Sequence, residues 1–262
     1  MRKIDIASEF ILKNIKFLGH TAVILGSGLG GFTDSITKKK IIKYSKIPYY
    51  PETTVDGHSG ELIAGYLKGK NILIANGRSH FYEGHSKENI VLPINVMKSC
   101  GIKNLIITNS VGSLKREYNP GTIVLINGYI DFSFQQTYNK PRSMNDSRFF
   151  SEKLMSITKN ASLQNNIPIK YGNYCWVFGP GYETSSEINY FKSYEGTVVG
   201  MSTLPEVEEA GNIGLKILTL SMVTNFAAGI SNQPLKHSEV LENANKSKEK
   251  MIKLLSAIIQ EI

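Results

Sequence analysis

Short runs of apolar residues, rich in Val and Ile, recur along the chain and alternate with polar stretches of helical length. The eight runs are AVILG (22–26), GELIAGYL (60–67), NILIANG (71–77), NLIITNS (104–110), TIVLING (122–128), YCWVFG (174–179), VVGMS (198–202) and LKILTLSMVTN (215–225). Most end in Gly, Asn or Ser, which is typical of buried strands followed by turns. We therefore predict a β-strand for each run.

Apolar residues spaced three or four positions apart predict helices between these strands, at Ile90–Ser99 and Ser151–Gln164. The first residues have the same spacing and are interrupted by charges, which indicates an amphipathic helix and not a signal peptide. The last 25 residues predict a long helix. Its apolar face comprises Val240, Ala244, Ser247, Met251, Leu254, Leu255, Ile258 and Ile262.

Strands that alternate with helices indicate the α/β class. The two runs separated only by residues 65–70 predict an antiparallel hairpin, so the sheet is expected to be mixed. We find no internal repeat, low-complexity linker or break in composition. The sequence therefore predicts a single domain over residues 1–262.

The composition excludes several classes of protein. No apolar run approaches the roughly 20 residues that cross a bilayer, so we expect a cytoplasmic protein without membrane contact. The net charge of +8 comes from scattered lysines, which argues against a nucleic-acid partner and favours attraction of a small anion. Its one dense run, at 38–40, indicates a solvated turn or strand edge. Cys100 and Cys175 have no metal-ligand spacing and are expected to be buried thiols, although a disulfide remains open.

Three glycines, Gly26, Gly28 and Gly31, follow the first strand in the G-x-G-x-x-G order of a dinucleotide-binding turn. An NAD site also needs a second strand that ends in an acid about 20 residues later, and no such strand follows. The more general meaning of the pattern is a turn whose amides bind an anion, to which Ser27 adds a hydroxyl. A tight turn without a ligand is the alternative.

Basic and hydroxyl residues follow other strands. The segment NGRSHFYEGHS (76–86) places Arg78, His80 and Tyr82 on one face if it is extended, with Glu83 as a candidate to orient a histidine. Arginine offers a planar fork for phosphate oxygens, and histidine donates to or exchanges a proton with an anion. A purely structural histidine is the alternative.

Small hydroxyl residues also stand at two further strand ends, Thr108 and Ser110 in one case and Ser202 and Thr203 in the other. An anion site assembled from several loops requires such groups. Pro205-Glu206 begins a helix-like run directly afterwards.

Two more segments contain groups suited to a heterocycle. FGPGYETSSE (178–187) presents Tyr182 and Glu183, and the last apolar run ends in Thr224 and Asn225. A carboxylate and a carboxamide bind the edge of a base, and an aromatic ring stacks on its face. From the residues alone, we interpret Asn225 as a turn residue and Glu183 as a helix-capping acid.

The motifs GSGLGG, DGHSGEL, GRSHFYEG, TNSVGSL, FGPGYETSSE, VGMSTLPE, VTN and HSEV, in this order across nearly the whole chain, resemble the trimeric purine nucleoside phosphorylase family. The resemblance implies one domain with a mixed sheet curled into a distorted barrel and flanked by helices. It also implies a homotrimer that acts in purine salvage. The implied reaction is reversible phosphorolysis of a purine nucleoside to base and ribose 1-phosphate, without metal or organic cofactor.

Carried over position by position, the resemblance implies three groups of site residues. Phosphate would be bound by Ser27, His58, Arg78, His80, Ser110 (through its backbone) and Ser202. The ribose would be surrounded by Tyr82, Met201 and His237, and the purine by Tyr182, Glu183, Thr224 and Asn225. The catalytic residues would be His80, Glu83, Asn225 and His237, with Glu83 orienting the phosphate-side histidines.

The pair Glu183 and Asn225, together with His237, favours inosine and guanosine over methylthioadenosine, whose phosphorylases generally lack these residues. A methylthioadenosine phosphorylase is the alternative within the family, and an NAD-binding oxidoreductase is a distant one. The chain departs from the family pattern at Ser110, Val111 and Ser113. In the shortened segment 133–150, either Tyr138 or Phe149 would be the aromatic that reaches the neighbouring subunit.

Overall fold

In a computed structural model, the apolar runs of the sequence form the strands of one mixed sheet. The structure describes residues 2–55, 58–231 and 237–262; for residues 237–246 it describes the backbone only. The strands are β1 (Thr21–Leu25), β2 (Thr37–Lys43), β3 (Glu61–Leu67), β4 (Lys70–Asn76), β5 (Asn104–Ser113), β6 (Ile123–Asp131), β7 (Arg142–Met144), β8 (Ile169–Trp176), β9 (Gly196–Gly200) and β10 (Lys216–Phe226). The helices are α1 (Lys3–Asn14), α2 (Lys87–Ser99), α3 (Glu152–Gln164), α4 (Ser185–Ser193), α5 (Leu204–Asn212) and α6 (His237–Glu261).

The sheet closes on itself. Its strand order is β10-β6-β8-β9-β5-β1-β4-β3-β2, with β7 beside β6, and β10 also pairs with β5. The strands β5, β10, β6, β8 and β9 therefore form a closed ring, from which β1, β4, β3 and β2 extend as an open wing. The pairs β1–β4, β1–β5, β5–β10, β6–β8 and β8–β9 are parallel and the others antiparallel. The predicted α/β class with a mixed, barrel-like sheet is confirmed.

All eight predicted strands are present, and β3 and β4 form the predicted hairpin. Its turn residues Lys68 and Gly69 both have positive φ, of 48° and 81°, which suits the twist of a two-residue hairpin turn. The sequence did not predict β2 and β7. The lysine run 38–40 lies on β2, an edge strand with one buried residue, so the strand-edge interpretation of this run is confirmed.

The predicted helices bury their apolar faces against the sheet. On α6, Met251, Leu254, Leu255 and Ile258 are fully buried, and each such side chain contributes roughly 1.5–3 kcal/mol to folding. Both cysteines are free and buried, as expected. Among the described residues, no helix has the length and apolar character needed to span a membrane.

Candidate functional site

A cavity of about 220 Å³ lies where β1, β4, β5, β8, β9 and β10 end or pass into loops. Twelve of the predicted site residues line it: Ser27, His58, Arg78, His80, Tyr82, Ser110, Tyr182, Glu183, Met201, Ser202, Thr224 and Asn225. Glu83 lies directly behind His80. The side chain of His237 lies outside the described residues. The strand ends thus bring residues that are up to 198 positions apart in the sequence into one cavity.

The glycine loop after β1 is held against β5. The amide of Gly26 donates to Thr108 Oγ1 at 3.0 Å, and Ser110 Oγ donates to the carbonyl oxygen of Ser27 at 3.1 Å. A Cβ on Gly26 would lie 2.7 Å from Asn109 Cα, and Gly28 has φ of 80°, so both positions need glycine.

The loop continues into a six-residue 3₁₀ turn at Gly30–Ser35 and then into the edge strand β2, which is antiparallel to β3. A dinucleotide site requires an α-helix and a parallel strand at this point. The NAD interpretation is therefore wrong, and the loop presents Ser27 to the cavity instead.

Ser27 is paired with His58. The distance from Ser27 Oγ to His58 Nε2 is 3.0 Å, and His58 Nδ1 lies 2.9 Å from the carbonyl oxygen of Arg78. The main-chain amide of Arg78 also lies 3.2 Å from Nδ1, but the contact with the carbonyl oxygen is shorter and a carbonyl only accepts, so we assign the ring proton to Nδ1, and Ser27 then donates to Nε2. Burial lowers the pKa of His58, partly opposed by its hydrogen bond to the Arg78 carbonyl. The ring is thus neutral near pH 7.

His80 is oriented by Glu83. Glu83 Oε1 accepts from the main-chain amide of His80 at 2.7 Å and from its Nδ1 at 2.9 Å, while Oε2 accepts from the Thr54 amide at 2.6 Å. Burial raises the pKa of Glu83, but the hydrogen bonds from Thr54 and His80 outweigh it and hold the pKa below its usual value. Glu83 contacts His80 and not His58, so in the described residues it orients one histidine of the predicted two.

We expect the protein to lose stability as the pH falls from 7 to 5. Burial lowers the pKa of His80 to about 4, although Glu83 opposes this. The unfolded chain, with a histidine pKa near 6.5, therefore binds more protons than the folded protein between these values. The unfolding free energy rises with pH in this window, and His80 alone contributes a difference of about 2 kcal/mol between pH 5 and pH 7.

Urea unfolding of the wild type and of His80→Gln at both pH values measures this contribution. The difference between pH 7 and pH 5 should shrink in the variant, while His20→Gln, a change at an exposed histidine, should leave it unchanged. An equal pH dependence in wild type and His80→Gln would contradict the assignment.

Arg78 lies in the wall of the cavity with only 3% of its side chain exposed. Its Nη1 donates to Thr203 Oγ1 at 2.8 Å, to Glu206 Oε2 at 3.2 Å and to Ser202 Oγ at 3.3 Å, so one of its two hydrogens is shared between two acceptors. Nη2 donates to main-chain carbonyl oxygens on β1 and β5. Both terminal nitrogens are thus bonded to the protein, and the guanidinium reaches the cavity beside Ser202.

The acid and the amide predicted from the sequence also line the cavity. Glu183 is half-buried, and burial raises its pKa. Asn225 Oδ1 accepts from Thr224 Oγ1 at 2.9 Å, and its Nδ2 donates to the carbonyl oxygen of Phe226 at 3.1 Å. One hydrogen of the Asn225 amide therefore remains for a ligand. Tyr182 lies at the rim and is 84% exposed.

Two alternative interpretations from the sequence are wrong. The N-cap of α4 is Thr184, in a capping box with Glu187, so Glu183 is not the capping acid. Asn225 lies inside β10, where the pairing with β5 shifts register between Val223 and Asn225, and is not a turn residue. The bulge turns the side chain of Asn225 toward the cavity, which it lines.

Some residues of the site were not identified from the sequence. Asn109 lines the cavity and donates to Thr203 Oγ1. The same oxygen accepts a hydrogen bond from Arg78, and Arg78 forms an ion pair with Glu206. The sequence showed Thr203 only as a hydroxyl at a strand end and Glu206 only as the start of a helix. Their partners lie nearly 100 residues or more away in the chain, so no local signal identifies them.

The comparison with known proteins agrees with this geometry. The family model described as the phosphorylase superfamily matches residues 20–260. Purine nucleoside phosphorylase 1 of Bacillus subtilis is 38% identical over 266 residues, which cover 99% of this chain and 98% of that protein. Purine nucleoside phosphorylase 1 of Geobacillus stearothermophilus is 35% identical, with 99% and 97% covered.

Among solved structures, Schistosoma mansoni purine nucleoside phosphorylase in complex with adenosine superposes with a TM-score of 0.87 at 31% identity, covering 99% of this chain and 96% of that one. The same enzyme in complex with inosine gives a TM-score of 0.86. The chain therefore belongs to the phosphorylase superfamily and, within it, to the purine nucleoside phosphorylases.

Proposed function

We propose that this protein catalyses the reversible phosphorolysis of 6-oxopurine nucleosides and deoxynucleosides, such as inosine and guanosine. The products are the free purine and ribose or deoxyribose 1-phosphate, which serve purine salvage. One observation carries the proposal: a single cavity is lined by hydroxyl, imidazole and guanidinium groups together with a carboxyl–carboxamide pair.

We place phosphate among Ser27, His80 and Ser202, with the backbone of Ser110 beside them; all four residues line the cavity. The hydroxyl of Ser202 donates to a phosphate oxygen, the unprotonated Nε2 of neutral His80 accepts from the hydroxyl of hydrogen phosphate, and the buried charge of Arg78 favours the dianion. Glu83 fixes the ring of His80 through Nδ1, which leaves Nε2 for the ligand. A phosphate held there lies below C1′ of a ribose that contacts Tyr82 and Met201.

In the reaction, a phosphate oxygen forms a bond to C1′ while the bond from C1′ to the purine nitrogen N9 breaks. The electron pair of the broken bond leaves with the purine, which takes up a proton as the free base. Positive charge develops on the sugar and is stabilised by the dianion. Asn225 donates to the O6 and N7 side of the purine as negative charge accumulates there, which stabilises the transition state more than the substrate.

Glu183 sets the expected preference between bases. Its carboxylate accepts from N1–H of a 6-oxopurine, whereas N1 of adenine carries a lone pair and no hydrogen. A buried acceptor that faces a lone pair loses its hydrogen bond, so we expect discrimination against adenosine. Tyr182 at the rim is placed to stack on the purine.

We infer a homotrimer, no metal or organic cofactor, and a cytoplasmic location from the family. No cluster of three or more metal-binding side chains occurs in the described residues. Of the two aromatics considered for the neighbouring site, Phe149 is buried against Gly211, whereas Tyr138 is 90% exposed. Tyr138 is therefore the one we propose to reach the adjacent subunit.

The purified protein should release base from inosine and guanosine only when phosphate is present. The matched panel contains inosine, guanosine, adenosine and methylthioadenosine, each with and without phosphate. Because the Schistosoma mansoni enzyme forms a complex with adenosine, turnover and not binding has to be measured. Absence of phosphate-dependent release from all four would refute the enzyme, and preference for methylthioadenosine would refute the 6-oxopurine assignment.

A further inference from the structure

We propose that Thr203 is a positioning residue that fixes the hydroxyl of Ser202 as a hydrogen-bond donor to the phosphate. The inference rests on the proposed function, because it assigns a role within the same anion site. Thr203 itself does not line the cavity. It lies behind Ser202 at the start of α5, with 1% of its surface exposed.

The backbone of Thr203 is held in an unfavourable conformation. Its φ and ψ are 78° and −51°, and its side chain makes no capping hydrogen bond to α5. A β-branched residue rarely adopts a positive φ, and such strain is found where surrounding contacts hold it in place. Here the conformation directs the hydroxyl of Thr203 toward Arg78 and Asn109.

Hydrogen bonds occupy both lone pairs of the Thr203 hydroxyl. Arg78 Nη1 donates to Oγ1 at 2.8 Å and Asn109 Nδ2 donates to it at 2.9 Å. A hydroxyl has two lone pairs and one hydrogen, so its remaining bond must be a donation. The acceptor within reach is Ser202 Oγ, at 3.1 Å.

The same count of lone pairs and hydrogens determines the direction of the hydrogen bonds at Ser202. Its Oγ accepts from Thr203 and from Arg78 Nη1, the latter at 3.3 Å. Both lone pairs of Ser202 are then used, and its own hydrogen is left for the cavity that Ser202 lines. The network thus presents a donor, and only an acceptor such as a phosphate oxygen completes it.

The positive charge of Arg78 acts on phosphate partly through this chain. Because the terminal nitrogens of Arg78 already donate to the protein, the guanidinium polarises the hydroxyls of Thr203 and Ser202, and hydrogen bonds in such a chain strengthen one another. Loss of the Thr203 hydroxyl would free one lone pair of Ser202 and the hydrogens of Arg78 and Asn109. The hydroxyl of Ser202 would then lose its fixed direction.

The test compares Thr203→Val, which keeps the shape but removes the hydroxyl, with Thr203→Ser, which keeps the hydroxyl. We expect Thr203→Val to raise the KM for phosphate about tenfold or more, with the KM for inosine changed less than twofold. Thr203→Ser should stay within about threefold of the wild type for both substrates. The matched control is Thr158→Val, which removes a buried hydroxyl that donates to Leu154 on α3, away from the cavity.

An active Thr203→Val with an unchanged KM for phosphate would overturn the inference. So would an equal rise in the KM for phosphate and for inosine that Thr203→Ser does not reverse. If Thr203→Val does not fold, Asn109→Leu frees a lone pair of Thr203 without altering position 203, and the same rise in KM for phosphate is expected. Wild-type protein without phosphate-dependent activity would refute the proposed function instead, so the two failures are distinguishable.

Discussion

Asn225→Asp should reverse the preference between bases, raising activity on adenosine relative to inosine by at least a hundredfold. The carboxylate cannot donate to O6 or N7 of a 6-oxopurine, and loss of one such donor costs about 10²–10³ in rate. It can accept from the 6-amino group of adenine instead. The exchange of donor for acceptor therefore acts on the two substrates in opposite directions.

The orientation of Asn225 makes this substitution specific. Thr224 Oγ1 donates to Asn225 Oδ1, so the Nδ2 side of the amide is the side that carries the remaining hydrogen toward the cavity. A carboxylate keeps the bond from Thr224 and differs only at the second atom. The substitution thus changes a donor into an acceptor without a change in shape, and it also removes the hydrogen bond from Nδ2 to the carbonyl oxygen of Phe226.

The measurement is kcat/KM for inosine and adenosine at saturating phosphate. Asn225→Ala separates the two effects, since it removes the donor without adding an acceptor and should lower inosine turnover without the gain for adenosine. Asn173→Asp is the matched control, because Asn173 donates to the Glu195 carbonyl outside the cavity. An unchanged ratio in Asn225→Asp would count against the base-binding assignment.

The sequence predicted most of the strands because burial leaves a pattern that can be seen locally. Strands buried on both faces, such as β1 with five buried residues in a row, appear as continuous apolar runs. In contrast, β2 is exposed along most of its length, and lysines stand where an inner strand has Val or Ile. Its partner β3, and not its own composition, makes it a strand.

The candidate site was predictable to the extent that its residues stand at strand ends. Ser27 and Arg78 follow the parallel strands β1 and β4, which bring them to one edge of the sheet, and Ser202 follows β9, which pairs antiparallel with the end of β5. What the sequence did not contain is the order of hydrogen bonds between them. The pairing of Ser27 with His58 and of Arg78 with Glu206 depends on tertiary contacts between segments distant in the sequence, which local patterns do not specify.

Glu206 matters because it allows the guanidinium of Arg78 to be buried next to the proposed phosphate position. Arg78 Nη1 and Glu206 Oε2 are 3.2 Å apart, and both side chains are more than nine-tenths buried. Burial raises the pKa of Glu206, and the charge of Arg78 opposes this only in part. The pair therefore holds an arginine next to the phosphate position, where an unpaired guanidinium would be costly to bury.

Removing either member of this pair should destabilise the fold by about 3–5 kcal/mol, because the partner is left as an uncompensated buried charge. In Arg78→Met, Glu206 loses the cation that lowers its pKa and takes up a proton more readily. A carboxyl whose pKa is higher in the folded than in the unfolded protein stabilises the fold most at low pH. The unfolding free energy lost in Arg78→Met should therefore be larger at pH 8 than at pH 6. Urea unfolding at the two pH values measures this.

The double variant Arg78→Met/Glu206→Met should recover most of the lost stability, since replacing both charges of a buried pair with apolar groups is often neutral. It should not recover phosphorolysis, because the phosphate site then lacks its buried cation and kcat/KM for phosphate stays at least a thousandfold lower, on the order of 4 kcal/mol. Lys87→Met is the control: Lys87 pairs with Glu208 at 3.0 Å but is 46% exposed, so its loss should cost at most about 1 kcal/mol. A stable double variant with near wild-type activity would show that Arg78 serves the fold alone; a double variant as unstable as the single ones would show that the cost lies in packing and not in charge.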